Sequence, residues 1–96
     1  MINFEWDPAK DLINQRRHDV SFADASSVFL DEQGILMHDP DHSEDEDRYL
    51  LLGMSSKLRL LVVCHTYRND DRVIRLISAW TATPQERDQY GRMIEP

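Results

Sequence analysis

The sequence predicts an α+β fold in which two helices precede a four-stranded antiparallel sheet and a third helix follows it, in the order ααββββα. Helix-start signals stand at Asp7-Pro8, Ser21 and Thr83-Pro84, where a side-chain acceptor precedes the first turn. Apolar residues recur at helical spacing before Gly34 and alternate as in strands after it. The connections between the last three strands are so short that only hairpins fit. A chain of 96 residues suffices for one hydrophobic core, which predicts a single domain over residues 1–96.

The helices are predicted at residues 8–17, from 22 to about 31, and 84–90. Ser21 to Asp24 resembles a capping box with aspartate in place of glutamate, whereas Thr83 to Glu86 is a complete one, with Gly91 as the expected stop. The inward side chains of the second helix are expected to be Phe22, Ala25, Val28 and Phe29.

Spacings of three and four residues divide the first helix into two sides. The side expected to pack carries Ala9, Leu12, Ile13 and Arg16. The side expected to be free carries Lys10, Asn14, Arg17 and His18. On this free side, Lys10 and Arg17 suit phosphate and Asn14 suits a base edge or the backbone of RNA. A polar face that only keeps the helix soluble is the common alternative.

Strands are predicted at residues 35–38, 49–54, 59–68 and 72–79. Alternation along the third strand puts five residues on one face; these are Arg59, Leu61, Val63, His65 and Tyr67. Cys64, the single cysteine, points to the other face within an apolar run. Disulfides are therefore excluded, and we expect this thiol to be packed and to have no functional role.

The net charge of −7 taken alone argues against a nucleic-acid partner, because Lys and Arg dominate phosphate binding. However, six of the 18 acids lie between residues 39 and 47, and the remaining chain is nearly neutral. Basic residues outnumber acidic ones from residue 57 to 92, so an anionic ligand has a place to bind. We expect a cytoplasmic protein, since no export signal or membrane-spanning apolar run is present.

His65 ends an apolar strand face, and Arg68, Arg72 and Arg75 follow on the same hairpin, within cross-strand reach. RNA cleavage without a metal needs a group that moves protons and cations that stabilise the charge on phosphorus. His65 can move the proton and the arginines can hold the phosphate. A lone histidine is more often structural, and arginines at a sheet edge are often merely solvated, so spacing alone leaves both interpretations open.

The segment from Asp39 to Glu44 packs carboxylates and a histidine closely. It is not a calcium loop, because its sixth and twelfth positions are Glu44 and Leu50 instead of glycine and glutamate. His38 and His42 remain weak candidates for a transition metal, but a solvated charged turn is the better interpretation. We expect no metal and no cofactor.

A set of residues recurs in the same order and at the same spacing as in a known family. These are Phe4-Glu5-Trp6-Asp7, Lys10, Asn14, Arg17-His18, Val20-Ser21-Phe22, Asp39-Pro40-Asp41-His42-Ser43, Arg48, Gly53, Ser56-Lys57, Arg59-Leu60-Leu61-Val62-Val63, His65-Thr66, Arg75 and Ile77-Ser78-Ala79. On these residues the chain resembles the BrnT-type toxins over nearly its whole length.

The resemblance implies a RelE-like fold and a bacterial type II toxin–antitoxin ribonuclease that cuts RNA without a metal and inhibits translation. It implies a BrnA-type antitoxin that neutralises the toxin and represses their shared operon, so that DNA is contacted only through the antitoxin, in a toxin–antitoxin heterotetramer. The residues expected to be catalytic are His65, Arg68 and Arg75. The residues expected to bind RNA are Lys10, Asn14, Arg17 and His18.

Trp80 and Thr81 stand where the family typically has arginine and lysine. Losing two cations beside a phosphate site predicts altered or weakened activity, and both a natural variant and a detoxifying change fit this departure. Trp80 at a strand end is expected to be an anchor for the antitoxin, because aromatic side chains are enriched in interfaces. The alternative function is therefore a weak or inactive toxin that binds the antitoxin and regulates the operon.

Overall fold

A computed structural model of the chain describes residues 2–42 and 46–94. The helices are α1 (Pro8–His18), α2 (Phe22–Ser26) and α3 (Pro84–Ile94), and the strands are β1 (Asn3–Glu5), β2 (Ile35–His38), β3 (Tyr49–Met54), β4 (Leu60–Arg68) and β5 (Val73–Thr81). Two 3-10 turns, Ser27–Leu30 and Pro40–His42, follow α2 and β2. Within the described part of the chain, no helix is long and apolar enough to span a membrane.

The sheet has five strands in the order β1-β5-β4-β3-β2. Strands β2 to β5 form the predicted antiparallel meander, but β1 adds a parallel pair, with Asn3 beside Val73 and Glu5 beside Arg75. The prediction of four antiparallel strands is wrong in this respect. Three residues are too few to establish an alternation pattern, and the partner of β1 lies at the far end of the chain, so only the tertiary fold defines this strand.

Each face of the sheet carries its own apolar cluster. The α2 face packs Leu61, Val63 and Leu76 against Phe22 and Val28. The α3 face packs a second group, made of Leu52, Leu60, Val62, Ala82 and Tyr90. Both faces of β4 are therefore buried, which explains its continuous apolar run.

A β-bulge interrupts the pairing of β4 with β5. Cys64 lies opposite Ser78 but His65 lies opposite Leu76, so Ile77 is the extra residue on β5. Strict alternation from Ser78 would turn Arg75 to the α2 face. The bulge instead turns Arg75 to the α3 face, the same face as Ser78 and Trp80.

Helix α1 lies along the edge of β5, and it is rotated relative to the prediction. Asn14, predicted to be free, is only 4% exposed. Leu12 and Ile13, predicted to pack, are 57% and 46% exposed. Asn14 turns inward because its amide bonds to the edge of β5. The residues that spacing grouped with it, Lys10, Arg17 and His18, are exposed, so neither predicted side packs as a whole.

The helix caps follow the sequence signals with two corrections. Thr83 and Glu86 form the full reciprocal box, with N···O distances of 2.8 and 3.2 Å. Ser21 Oγ accepts the Asp24 N–H at 3.1 Å, but neither Asp24 carboxylate oxygen has a hydrogen-bond partner among the described residues, so this box is half made. Helix α3 continues through Gly91 to Ile94, so Gly91 is not a stop.

Candidate active site on the sheet

Two arginines and one glutamate meet where β1, β5 and the end of β4 come together. Glu5 Oε1 lies 3.5 Å from Arg75 Nη1 and 3.7 Å from Arg68 Nε. Arg68 Nη2 also donates to Glu46 Oε2 at 3.3 Å. The three side chains of the cluster, Glu5, Arg68 and Arg75, are all partly exposed, so a ligand can reach both cations and the carboxylate.

The register of the strands puts this cluster on the α3 face. Glu5 is beside Arg75, Arg75 is opposite Thr66, and Arg68 follows Thr66 by two residues, so all point to the same side. The Thr66 hydroxyl donates to the backbone oxygen of Asp47 at 2.8 Å. This bond ties the loop before β3 to the floor of the site.

Cys64 lies on the same face, next to Thr66 in the alternation of β4. The thiol is buried, as predicted. Burial raises its pKa, while the nearby Arg48 guanidinium and a hydrogen bond with Ser78 act to lower it. A thiol held in its neutral form is a poor nucleophile. Cys64 therefore contributes packing to this part of the sheet.

His65 is on the opposite face from the two arginines. It is fully buried, at 0% exposure, with its ring edge-on to Phe29 at a centroid distance of 4.8 Å. Nδ1 lies 3.0 Å from the Val63 oxygen and Nε2 lies 3.2 Å from the Tyr67 hydroxyl. Because a carbonyl only accepts, Nδ1 carries the proton and Nε2 accepts from Tyr67. Burial lowers the pKa of His65, and the bond to Val63 offsets part of that effect.

The structure thus places the predicted catalytic residues on two different faces of the sheet. Arg68 and Arg75 are together, but the sheet lies between them and His65, and no solvent reaches the imidazole. Glu5, and not His65, lies beside the two arginines. The sequence predicted no role for Glu5. The available signal was its position in the Phe4-Glu5-Trp6-Asp7 segment, but nothing local indicated that this segment forms a strand against β5.

The predicted RNA-binding residues of α1 also divide into two sets, one buried and one exposed. Asn14 is a correction: both amide hydrogens and the amide oxygen are bonded to backbone groups, and at 4% exposure the side chain is not accessible to RNA. Lys10, Arg17 and His18 are exposed. His18 lies beside Trp80, with ring centroids 6.4 Å apart.

Trp80 is half-buried against the α3-face cluster, opposite Val62 in the strand register. Thr81 accepts a hydrogen bond from Arg59 Nη2 at 3.4 Å, and Arg59 Nη1 donates to the Asp19 oxygen at 2.7 Å. Of the two positions that depart from the family pattern, Trp80 therefore takes part in the packing, whereas Thr81 is exposed and contacts Arg59.

The metal alternative concerns the segment after β2. His38 Nε2 lies 3.2 Å from Asp47 Oδ1, which occupies that ring nitrogen. The side chain of His42 and residues 43–45 lie outside the described residues. In the ranges that the structure describes, no three His, Cys, Asp or Glu side chains group closely enough to hold a metal ion.

Comparison with known proteins shows to which family the chain belongs. The sequence model for the family described as "Ribonuclease toxin, BrnT, of type II toxin-antitoxin system" matches residues 6–86, which is most of the chain. This chain belongs to the BrnT family. As a BrnT-family protein it is a member of a ribonuclease toxin family that acts within type II toxin–antitoxin systems, for which an antitoxin partner is implied.

The fold agrees with a solved structure of the same family. The 1.1 Å crystal structure of the Brucella abortus ribonuclease toxin BrnT superposes with a TM-score of 0.64, at 23% sequence identity. The alignment covers 86% of this chain and 99% of that one. No protein with a curated function matches the sequence.

Proposed function

We propose that this BrnT-family chain is a metal-independent endoribonuclease whose reaction takes place at the Glu5–Arg68–Arg75 cluster. The single observation that carries the proposal is that one carboxylate lies within 3.7 Å of two guanidinium groups on a partly exposed surface. RNA offers its own nucleophile, the 2′-hydroxyl, so the protein needs to supply only a base and stabilisation for the phosphate.

In the proposed reaction, the Glu5 carboxylate accepts the proton of the 2′-hydroxyl. The 2′-oxygen then bonds to the adjacent phosphorus, and the bond from phosphorus to the 5′-oxygen breaks. The 5′-oxygen takes up a proton from solvent, which leaves a 2′,3′-cyclic phosphate and a 5′-hydroxyl end. Arg68 and Arg75 donate hydrogen bonds to the phosphate oxygens, where negative charge grows in the transition state.

Under this proposal His65 is a positioning residue. Its ring holds the Val63 oxygen and the Tyr67 hydroxyl and stands between Phe29 and Tyr49. It therefore supports β4 three residues before Arg68. Replacing it is expected to lower stability more than it lowers the rate per folded molecule.

The direct test is cleavage of total RNA by the purified chain in excess EDTA. We expect Glu5→Gln and Arg75→Ala each to lower the rate by about 10²-fold or more, because each removes a group that acts in the transition state. Arg72→Ala is the matched control, since Arg72 is an exposed arginine on the same hairpin; we expect a change of less than about threefold. A Glu5→Gln variant that cleaves at the wild-type rate would refute the role of Glu5.

The finer cellular assignments are part of the same proposal. Cleavage of cellular RNA inhibits translation, and a BrnA-type antitoxin neutralises the toxin in a heterotetramer that contacts operator DNA through the antitoxin. Support comes from the family's place in type II toxin–antitoxin systems. Mixing the chain with its antitoxin is expected to abolish RNA cleavage in the assay above.

A second candidate function is a weakened toxin whose remaining role is to bind the antitoxin. Trp80 and Thr81, in place of two cations, favour it. The Trp80→Arg/Thr81→Lys double variant separates the candidates. If both proteins cut RNA, the two cations are dispensable. If only the variant cuts, this chain is an attenuated toxin.

A further inference from the structure

The outer side of α1 carries apolar side chains that the described residues leave about half exposed. Leu12 is 57% exposed and Ile13 is 46% exposed, and Ala9 and Arg16 beside them are exposed as well. This side cannot turn inward, because Asn14 on the opposite side is bonded to Val20 and Ala79. The apolar side chains are therefore held in solvent by the way the helix is attached.

The charge around this surface is positive, unlike that of the chain as a whole. Lys10, Arg16 and Arg17 are exposed along the helix. The acid of the same helix is turned away: Asp11 Oδ1 accepts from the Phe22 N–H at 2.9 Å and from the Gln15 amide at 3.2 Å. In a chain with net charge −7, this helix presents an apolar strip bordered by three cations.

We infer that the α1 surface, made of Ala9, Leu12, Ile13, Arg16 and Arg17, is the docking site for an acidic amphipathic helix of the antitoxin. The inference rests on the proposed function, because the antitoxin is part of it. Ala9 precedes Leu12 by three residues and Ile13 by four, so these apolar side chains share the helix face that can pack against a partner helix. Acidic side chains beside the partner's apolar residues would complement the three cations.

Two other occupants fit the surface less well. A second copy of this chain, related by a two-fold axis, would bring the same three cations together, which is repulsive. RNA would gain from the cations, but Leu12 and Ile13 at the centre of the surface offer phosphate no donor. An acidic protein helix satisfies the apolar and the charged parts at once.

The test is a titration of the full chain with the antitoxin encoded beside it, purified separately. We expect Leu12→Asp/Ile13→Asp to raise Kd about 100-fold or more, since two anchor contacts are lost and like charges face the acidic helix. Leu36→Asp is the matched control, because Leu36 is 53% exposed on β2, at the opposite end of the strand order from β5 and α1; we expect less than a threefold change. Leu12→Ala/Ile13→Ala, which keeps a strong helix-forming sequence, repeats the measurement without new charge and should raise Kd at least tenfold.

The charged part of the proposal has its own variant. Arg16→Glu/Arg17→Glu is expected to raise Kd at least tenfold at low salt, with a smaller difference at high salt because screening weakens the attraction. Unchanged affinity in this variant would overturn the acidic character assigned to the partner helix.

Each remaining outcome decides between the occupants. If Leu12→Asp/Ile13→Asp binds the antitoxin like the wild type, the docking site is elsewhere. If it keeps antitoxin affinity but loses RNA cleavage, α1 contacts RNA. If sedimentation finds the isolated chain to be a dimer that this variant dissociates, the occupant is a second copy. Failure of the ribonuclease proposal is distinguishable from failure of the docking proposal. In the first case the wild type does not cleave RNA, but the antitoxin titration still gives the expected differences between variants.

Discussion

The side-chain amide of Asn14 takes the place of a strand residue at the edge of β5, where it bonds both backbone groups of Ala79. Its Nδ2 donates to the Ala79 oxygen at 2.9 Å and its Oδ1 accepts from the Ala79 N–H at 3.0 Å. Strand β1 pairs with β5 only as far as Arg75. The amide therefore satisfies part of the edge that β1 leaves open, which an exposed strand would otherwise offer to other chains.

Asn14→Ala is expected to destabilise the fold by about 2–4 kcal/mol, because it leaves buried backbone groups of Val20 and Ala79 without partners. The measurement is the free energy of unfolding in urea. Gln15→Ala, in the next position and exposed, is the control and should cost less than about 0.5 kcal/mol. A small effect of Asn14→Ala would mean that water replaces the amide without loss.

His65 predicts a specific pH dependence of stability. Burial lowers its pKa in the folded state, whereas the unfolded chain takes up the proton near pH 6.5. The unfolded state therefore binds more protons below that pH, so stability is complete above pH 6.5 and is lost as the pH falls from there towards the folded pKa. The slope is at most about 1.4 kcal/mol per pH unit.

The check is the unfolding free energy of the wild type and of His65→Gln between pH 7.5 and pH 5. All other groups titrate in both proteins, so the difference between them isolates His65. We expect the wild type to lose its advantage as the pH falls. A difference that does not change with pH would contradict a buried neutral imidazole.

The contact between Tyr90 and Asp31 anchors α3 to the turn that follows α2. The Tyr90 hydroxyl donates to Asp31 Oδ2 at 2.6 Å. Burial and this bond raise the pKa of Tyr90 to about 12. For Asp31, burial acts to raise the pKa, but the bonds from Tyr90, Met54 and Gln33 outweigh it and lower the pKa.

Tyr90→Phe is expected to cost about 1–2 kcal/mol at pH 7, because it removes a hydrogen bond to an ionised carboxylate. Since the folded pKa of Asp31 is lowered, its stabilisation is present above about pH 4 and is lost as the pH falls through the folded pKa. The difference between the proteins should shrink in that range. Tyr49→Phe, whose hydroxyl bonds no described residue, serves as the control in the same urea titrations.

Leu58 has a left-handed backbone, with φ of 60°, in the turn between β3 and β4. This conformation costs a side chain such as leucine about 1–2 kcal/mol, and asparagine less. Because Leu58 is exposed, Leu58→Asn should raise the thermal midpoint and add about 0.5–1 kcal/mol of stability. Leu58→Ala keeps the Cβ and should change little; equal gains in both variants would show that backbone relief is not the cause.

The hairpins and the helix starts could be predicted because short segments encode them. Alternation and apolar runs define β2 to β5, and the Thr83 box defines the start of α3. Spacing also groups the residues of α1, but it does not tell which side turns inward. Asn14 turns inward because of the open edge of β5, a feature of the tertiary fold that no local pattern contains.

The candidate site was only half predictable for the same reason. Arg68 and Arg75 stood out as cations on one hairpin. Their common face depends on the bulge at Ile77, which shifts Arg75 relative to strict alternation. Glu5 joins them through a parallel pairing with a distant part of the chain. His65 is on the opposite face because it is three residues from Arg68 in the alternation of β4.

The pairing of β1 with β5 sets the order in which the cluster can be completed during synthesis. Glu5 precedes both Arg68 and Arg75 by more than 60 residues, so it leaves the ribosome well before either arginine. Until β5 has emerged, β1 has no partner and the glutamate has no cation beside it. A truncated or still-growing chain that does not yet include β5 therefore lacks the arrangement that we propose as catalytic, and the ribosome that makes the protein is not exposed to it before that point.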